Sequence, residues 1–290
     1  MSAPELDPNH LQIGPDVRLD WGMRGLEALL AGGVRTVVIV DVLSWSTAVD
    51  VASGRGACIY PSAGDAASVA ALAARVGADI AGRRGEAGRP TLSPLSLRSL
   101  ARGSKLVLPS PNGSTLAEMA ATAGVDVFAG CLRNASAIAA AITAFPVGIV
   151  AAGERWPDGS LRPALEDGWG AGAIAVALGG PDGAAQRPDW AEVMFGTVAA
   201  GGMGDRAPIR GVTGPPPVDA DPIAAPRTLS AEAAAAARAV PLGADLPALM
   251  ADVASGRELV DRGYALDVEV AAALDVSKAV PRMLDGAFRT

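Results

Sequence analysis

The run at residues 34–42 (VRTVVIVDV) constrains the fold more than any other stretch of this sequence. It is almost continuously apolar and β-branched, which is typical of a strand that is buried on both faces of a sheet. Strand and helix signals alternate along the sequence, and such alternation indicates parallel strands joined by right-handed crossovers. The sequence therefore predicts a three-layer α/β/α fold with a mostly parallel or mixed sheet. Further strand runs lie at residues 56–61, 105–109, 125–129 and 147–152, and helical patterns lie at 22–31, 46–53, 65–76, 114–123, 135–144 and 167–178.

The chain length of 290 residues suits one large domain with a complete core, and we predict a single α/β domain over 1–290. A stretch rich in glycine and proline at residues 201–228 contains the run GPPP and predicts a flexible loop. Ser230 then has the character of a helix N-cap. Near the C-terminus, residues 266–271 predict a strand.

The composition excludes several classes of function. A net charge of −7 and a sequence pI of about 4.8 argue against nucleic acid as a partner. No apolar run reaches the roughly 18 residues of a membrane span, and residues 1–20 lack a signal-peptide pattern. Two cysteines fit a reducing, cytoplasmic setting. The single histidine, His10, lies in the polar N-terminal segment, whereas a Ser-His-Asp triad or a histidine zinc site needs a placed imidazole.

Polar residues follow the first predicted strand, where ligands bind in sheets of this type. Asp41 ends the strand, and Ser46 and Thr47 open the next helix. A carboxylate followed by hydroxyl groups suits a metal ion beside a phosphoryl group. The alternative is that Asp41 or Ser46 only caps the helix.

Two later loops have the same design. Asn112 and Gly113 form a turn before Ser114 begins a helix, whose free N–H groups make an anion site. Arg133 and Asn134 follow another predicted strand, and the arginine could pair with an anionic oxygen. An ordinary capped strand-to-helix turn would also explain the first of these loops.

Adjacent carboxylates stand at the start of a further helix. Glu166 and Asp167 repel each other, so a site that keeps both ionised often contains a cation. The alternative is that both interact favourably with the helix dipole. Together with the other loops, the pair favours metal-assisted phosphoryl chemistry, and the sequence has no nucleotide P-loop motif.

The order of these segments resembles the 2-phosphosulpholactate phosphatase family from about Val34 to Met283. The resemblance implies a magnesium-dependent hydrolase that converts 2-phosphosulpholactate, a small anionic ester, to sulpholactate and phosphate. It also implies an α/β/α fold. The matching segments are Asp41-Val42-Leu43 with Ser46-Thr47, Asn112-Gly113-Ser114, Gly130 to Ala135, Ala152-Gly153, Leu165-Glu166-Asp167 with Ala171-Gly172, Ser255 to Leu259, Gly263, Asp267 and Val280-Pro281.

Carried over by position, the resemblance implies that Asp41, Glu166 and Asp167 are the metal-binding and catalytic residues. Ser46, Thr47, Asn112, Gly113, Ser114 and Asn134 would line the anion site, and Arg133 would contribute positive charge. The chain departs from the family where Arg-Ala-Thr-Thr is usual, because Ser44 stands in place of the arginine. Arg83, Arg84, Arg133 and Arg155 are candidates to replace the lost charge.

Other functions compete with this interpretation. A protein derived from the family could bind a small anion without turnover, and a homo-oligomer is compatible with either function. A cysteine phosphatase built on Cys131 is disfavoured because Ala137 stands where the arginine of its phosphate cradle should be. An aspartyl nucleophile at Asp41 is disfavoured because Leu43 replaces the second aspartate. Water activated by a metal ion is then the simplest nucleophile.

Overall fold

The computed structural model describes residues 6–86, 88–185 and 227–290, and within them strands and helices alternate. The strands are β1 Val17–Trp21, β2 Thr36–Val40, β3 Cys58–Ser62, β4 Asp79–Ile80, β5 Lys105–Pro109, β6 Asp126–Gly130, β7 Val147–Ala151, β8 Glu154–Arg155, β9 Leu161–Arg162, β10 Arg282–Leu284 and β11 Ala287–Arg289. The helices are α1 Gly22–Ala31, α2 Trp45–Gly54, α3 Ala66–Val76, α4 Pro94–Leu97, α5 Gly113–Thr122, α6 Ala135–Ala141, α7 Leu165–Ala185, α8 Ala231–Ala239, α9 Leu246–Asp252, α10 Ala254–Asp261 and α11 Ala265–Ala272.

Nine strands form one sheet in the order β1-β7-β2-β6-β10-β11-β3-β5-β4. The four strands from β1 to β6 pair in parallel, and so do β3, β5 and β4. The antiparallel hairpin of β10 and β11 lies between the two groups. The sheet is therefore mixed but mostly parallel, as the alternation of strand and helix signals predicted.

The hairpin also sets the relative direction of the two groups. It pairs antiparallel with β6 through Arg282 and Phe128, and antiparallel with β3 through Phe288 and Ile59. Because all three pairings through the hairpin are antiparallel, the two parallel groups run in opposite directions. The polar loops after β2 and β5 nevertheless meet, and the helices that follow them, α2 and α5, contact each other.

Apolar side chains fill both faces of the sheet. On β2, Val38 and Val40 face a core shared with α6, α7 and α8, while Val37 and Ile39 face a second core. The second core contains side chains from both parallel groups and from α1, α2 and α5. Trp45 at the start of α2 packs edge-to-face on Phe288 of β11, with ring centroids 5.4 Å apart. This burial on both faces explains the continuous apolar run in the sequence.

Several predicted elements differ from the structure. The strand predicted at residues 266–271 is wrong, because this stretch lies within helix α11. Strand β1 and the hairpin of β10 and β11 were not predicted. Ser230 caps α8 as expected, and its Oγ accepts a hydrogen bond of 3.2 Å from the N–H of Ala233.

The flexible loop predicted at residues 201–228 lies almost entirely outside the described residues. The assignment of 1–290 to a single domain stays a prediction. None of the helices in the described part of the chain combines the length and the apolar character that crossing a membrane requires.

Candidate active site

Asp41 is the residue immediately after β2, and its carboxylate joins two loops. Oδ1 accepts a hydrogen bond of 3.2 Å from the N–H of Trp45, and Oδ2 accepts one of 2.9 Å from the N–H of Gly113. The first contact closes the turn into α2, and the second ties the loop after β5 to the loop after β2. Each oxygen keeps a free lone pair, because a carboxylate oxygen can accept two hydrogen bonds.

The two acidic residues at the start of α7 are buried close to Asp41. Asp167 accepts hydrogen bonds from the N–H of Val42 at 2.7 Å and from the N–H of Gly153 at 2.8 Å. It therefore connects the loops after β2 and β7. Glu166 is 2% exposed, so its carboxylate is almost completely removed from water.

A cleft of about 190 Å³ opens beside Asp41, and we call it the active-site cleft. Glu154 of β8 lines it, and the Glu154 Oε2 atom accepts a hydrogen bond of 3.1 Å from the Nδ2 group of Asn112. Neither Glu166 nor Asp167 lines the cleft. The residues that bear on its chemistry are Asp41, Ser44, Arg84, Ser110, Asn112, Glu154, Glu258 and Arg262.

Two arginines bring positive charge to the active-site cleft. Arg84 follows β4 and donates a hydrogen bond of 2.6 Å to the hydroxyl of Ser44. It also forms a buried ion pair with Asp267 of α11. Arg262, directly after α10, lines the same cleft. Arg84 therefore lies beside the position where the family usually has an arginine.

The other three arginines that could replace the missing family arginine do not line the active-site cleft. Arg155 lines a neighbouring cavity of about 200 Å³ that shares Asn112 and Glu154 with the active-site cleft. Arg133 forms an ion pair of 2.8 Å with the buried Asp50. The backbone N–H of Arg83 donates to Glu86, but its side chain is not among those that line the cleft.

Most of the predicted anion-binding side chains hold the backbone of the loops. The hydroxyls of Ser46, Thr47 and Ser114 donate to the carbonyls of residues 41, 42 and 108, respectively, at 2.8–2.9 Å. All three side chains are fully buried. The N–H of Gly113 is occupied by Asp41. Only Asn112, of the predicted anion-binding residues, lines the active-site cleft.

Arg133 and Asn134 likewise make polar contacts within the fold. Asn134 is fully buried, and its side chain accepts from the N–H of Cys131 and donates to the carbonyls of Ala129 and Ala279. These bonds connect the end of β6 to the segment before β10. Neither residue lines the active-site cleft, so their role in substrate binding stays a prediction without a supporting contact.

Burial dominates the electrostatics of the site. It raises the pKa of Asp41 from its ordinary value of 3.8 to about 7, and the charges of Glu154 and Glu166 add to the effect. Burial likewise raises the pKa of Glu154 and, together with the charge of Asp41, that of Asp167. Burial lowers the pKa of Arg84, while the neighbouring Asp267 opposes this change. Asp41, Glu154 and Asp167 thus lie where negative charge is unfavourable.

The donor chemistry of the active-site cleft fits a magnesium ion. Within residues 6–86, 88–185 and 227–290, no group of three or more His, Cys, Asp or Glu side chains is placed to hold a metal ion. Magnesium is usually held by only one or two carboxylates, with water and substrate oxygens completing its shell. Asp41 and Glu154 supply two carboxylates at the cleft, and a cation there would relieve their mutual repulsion.

Several residues of the cleft were missed by reasoning from sequence. Ser110, Ser255, Glu258 and Arg262 all line it. Ser255 and Glu258 lie in one of the family-like segments, which could have indicated their importance. Arg262 lies just beyond that segment, and nothing local in the sequence marks it as a site residue.

Comparison with known proteins agrees with these features. The family model of 2-phosphosulpholactate phosphatase matches residues 28–200, which is more than half of the chain. The match includes β2 with Asp41, the loop after β5 with Asn112, and the acidic pair at the start of α7. None of the curated proteins matches the chain significantly. The chain therefore belongs to the 2-phosphosulpholactate phosphatase family, whose members are phosphoric monoester hydrolases.

Proposed function

We propose that this protein is a magnesium-dependent phosphatase that hydrolyses 2-phosphosulpholactate, or a closely similar small phosphate ester, to the free alcohol and phosphate. Membership of the family supports the substrate. The observation that carries the proposal is the cleft itself, where the carboxylates of Asp41 and Glu154 lie with the guanidinium groups of Arg84 and Arg262. Carboxylates alone would repel an anionic substrate, whereas this mixture can hold a cation and an anion together.

Asp41 and Glu154 are the residues that we expect to hold the magnesium ion. Asp41 sits at the end of a strand buried on both faces, and two backbone N–H groups fix its carboxylate. Asn112 fixes the orientation of Glu154 in the same way. Such support holds ligands in a productive geometry before the substrate binds. When bound, magnesium would polarise a phosphoryl oxygen and increase the acidity of a water molecule.

Glu166 and Asp167 lie behind the cleft, where an ionised carboxylate would attract a cation to the side of Asp41. We keep both as candidate metal ligands, as the resemblance implied, with Asp167 also holding the loops through Val42 and Gly153. The arginines of the cleft attract the anionic ester and offset its charge. An acid residue with a raised pKa, such as Glu154, can also exchange a proton with a water molecule or with the leaving group.

Release of inorganic phosphate tests this function. The purified protein is incubated with 2-phosphosulpholactate before chelation, after exhaustive chelation, and after magnesium is restored. We expect turnover to disappear on chelation and to return with magnesium. Full turnover after chelation would contradict the metal requirement. Binding of 2-phosphosulpholactate without phosphate release under any condition would instead support the anion-binding alternative.

A further inference from the structure

Two guanidinium groups line the active-site cleft, and both lie near the ring of Tyr264. The Cζ atom of Arg84 is 5.1 Å from the ring centre of Tyr264, and the Cζ atom of Arg262 is 5.9 Å from the same ring centre. The positive charges of the two groups repel each other. An anion bound beside both groups would remove that repulsion and gain charge-assisted hydrogen bonds.

Arg84 is held in place before any ligand arrives. Its guanidinium group contacts the carboxylate of Asp267, the hydroxyl of Ser44 at 2.6 Å and the carbonyl of Leu92 at 3.3 Å. Its side chain is only 11% exposed. A guanidinium group has five N–H donors, so these three contacts leave donors for a ligand. Arg84 can therefore bind an anion without losing the conformational freedom that an exposed side chain loses.

Arg262 is the more adaptable member of the pair. Its side chain is 53% exposed and forms a 2.9 Å ion pair with Glu258 on the same side of the cleft. Exposed ion pairs of this type contribute little to stability. The guanidinium group can therefore turn from Glu258 to a bound anion at small cost.

We propose that Arg84 and Arg262 form a second anion subsite that selects phosphate esters carrying a further acid group, a sulfonate or a carboxylate. This inference rests on the proposed function, in which the phosphoryl group lies at Asp41 and Glu154 with the metal ion. The two arginines can then bind the sulfonate or carboxylate group of the same substrate molecule. Arg84 and Arg262 are thus specificity-determining residues, whereas Asp41 and Glu154 serve the phosphoryl group of every substrate.

The test compares two esters, 2-phosphosulpholactate and phenyl phosphate, which lacks a further acid group. We expect Arg262→Gln to lower kcat/KM for 2-phosphosulpholactate at least about tenfold more than for phenyl phosphate, as expected for the loss of one charge-assisted hydrogen bond. The matched control is Arg257→Gln. Arg257 is an exposed arginine of α10 that pairs with Asp252 and does not line the cleft. The control should change neither value.

Arg84 needs a compensated variant, because Arg84→Gln alone would leave the buried Asp267 without its partner. The double variant Arg84→Gln/Asp267→Asn removes both charges, and it should show the same selective loss as Arg262→Gln. Equal losses on the two esters in both variants would overturn the inference while leaving the phosphatase function intact.

Calorimetry with sulpholactate provides a readout that does not depend on turnover. We expect the wild-type protein to bind sulpholactate and Arg262→Gln to bind it at least about tenfold more weakly. That result would support the subsite even if no ester released phosphate. Affinity that is unchanged in Arg262→Gln and in the double variant, or a wild-type protein that fails to bind sulpholactate, would overturn it.

Discussion

The N–H of Gly113 donates a 2.9 Å hydrogen bond to the Oδ2 atom of Asp41, although 72 residues separate them in the chain. The bond joins the start of α5 to the end of β2. These elements belong to parallel groups that run in opposite directions through the sheet. The contact therefore brings together two loops that the direction of the strands alone would not unite.

Gly113 has little space for a side chain. A Cβ atom there would lie 2.4 Å from Cε3 of Trp45, and Trp45 is itself buried against Phe288. We expect Gly113→Ala to lower stability by about 1–3 kcal/mol and to reduce turnover, because Asp41 would be displaced with the loop. Thermal unfolding and phosphate release measure the two effects. Gly54→Ala is the control, because its Cβ would make an ordinary 3.5 Å contact with Ala279. A Gly113→Ala variant as stable and active as Gly54→Ala would contradict this packing argument.

Stability without metal should depend on pH through Asp41. Burial raises the pKa of this residue from 3.8 to about 7, so folding favours its protonated form. The contribution to stability is complete below about pH 3.8 and is lost as the pH rises through about 7. We therefore expect the Tm of the chelated protein to fall between pH 5 and pH 8, by about 2 °C or more.

Two comparisons isolate the cause of that fall. Adding magnesium at pH 8 should restore Tm, because the ion binds the ionised carboxylates. Asp41→Asn cannot ionise at this position and should flatten the profile. A Tm that rises from pH 5 to pH 8 in the chelated wild-type protein, with the same rise in Asp41→Asn, would show that Asp41 does not control stability in this range.

Asp167 should contribute to structure as well as to the metal site. Both of its oxygens accept backbone N–H groups, and an asparagine would direct an NH₂ group at one of them. Asp167→Asn should therefore lose about 1–3 kcal/mol of stability in addition to affinity for magnesium. Denaturant unfolding and metal titration separate the two losses. Asp252→Asn, at a side chain that is 82% exposed, is the control and should leave both unchanged. Unchanged magnesium affinity in both Glu166→Gln and Asp167→Asn would exclude these residues from the metal site.

Arg133 should matter for folding more than for substrate binding. Its partner Asp50 is fully buried, so Arg133→Ala would leave an uncompensated charge and cost about 3–5 kcal/mol. Denaturant unfolding measures this cost. Arg257→Ala breaks an exposed ion pair and should cost no more than about 1 kcal/mol. A stable Arg133→Ala variant with a strongly raised KM would indicate instead that Arg133 binds the substrate.

The parts of the fold that sequence predicted well are those where burial imposes a clear pattern. Strand β2 is apolar except for Thr36 and is buried at every residue, because both of its faces are covered. Strand β1 was missed because Arg18 and Asp20 interrupt its apolar residues at the edge of the sheet. In α11 the sequence LDVEVA alternates apolar and polar residues like a strand. The pattern misleads because the polar Asp267 is buried, where it forms an ion pair with Arg84. Local alternation cannot reveal a partner that lies 183 residues away.

Of the three carboxylates predicted for the site, only Asp41 lines the active-site cleft. Asp41 stands out because a charged residue directly follows a buried strand. The hydroxyls of Ser46 and Thr47 resemble anion ligands in sequence, but their donors bond to backbone carbonyls of the preceding turn. Arg262 could not be singled out, because it lies in the cleft only through the packing of α10 and α11 against the loops of the sheet.

The most direct test of the proposed function is the rate at which Asp41→Asn releases phosphate from 2-phosphosulpholactate at saturating magnesium. Asparagine removes the charge that we expect to hold the metal ion beside the phosphoryl group. Because its NH₂ group would also face one of the two backbone N–H groups that Asp41 accepts from, the rate is compared on variant protein shown to be folded. We predict a rate at least about a hundredfold below that of the wild-type protein, which corresponds to about 2.7 kcal/mol in the barrier. A folded Asp41→Asn variant that releases phosphate within a few-fold of the wild-type rate would contradict the assignment of this cleft as the active site.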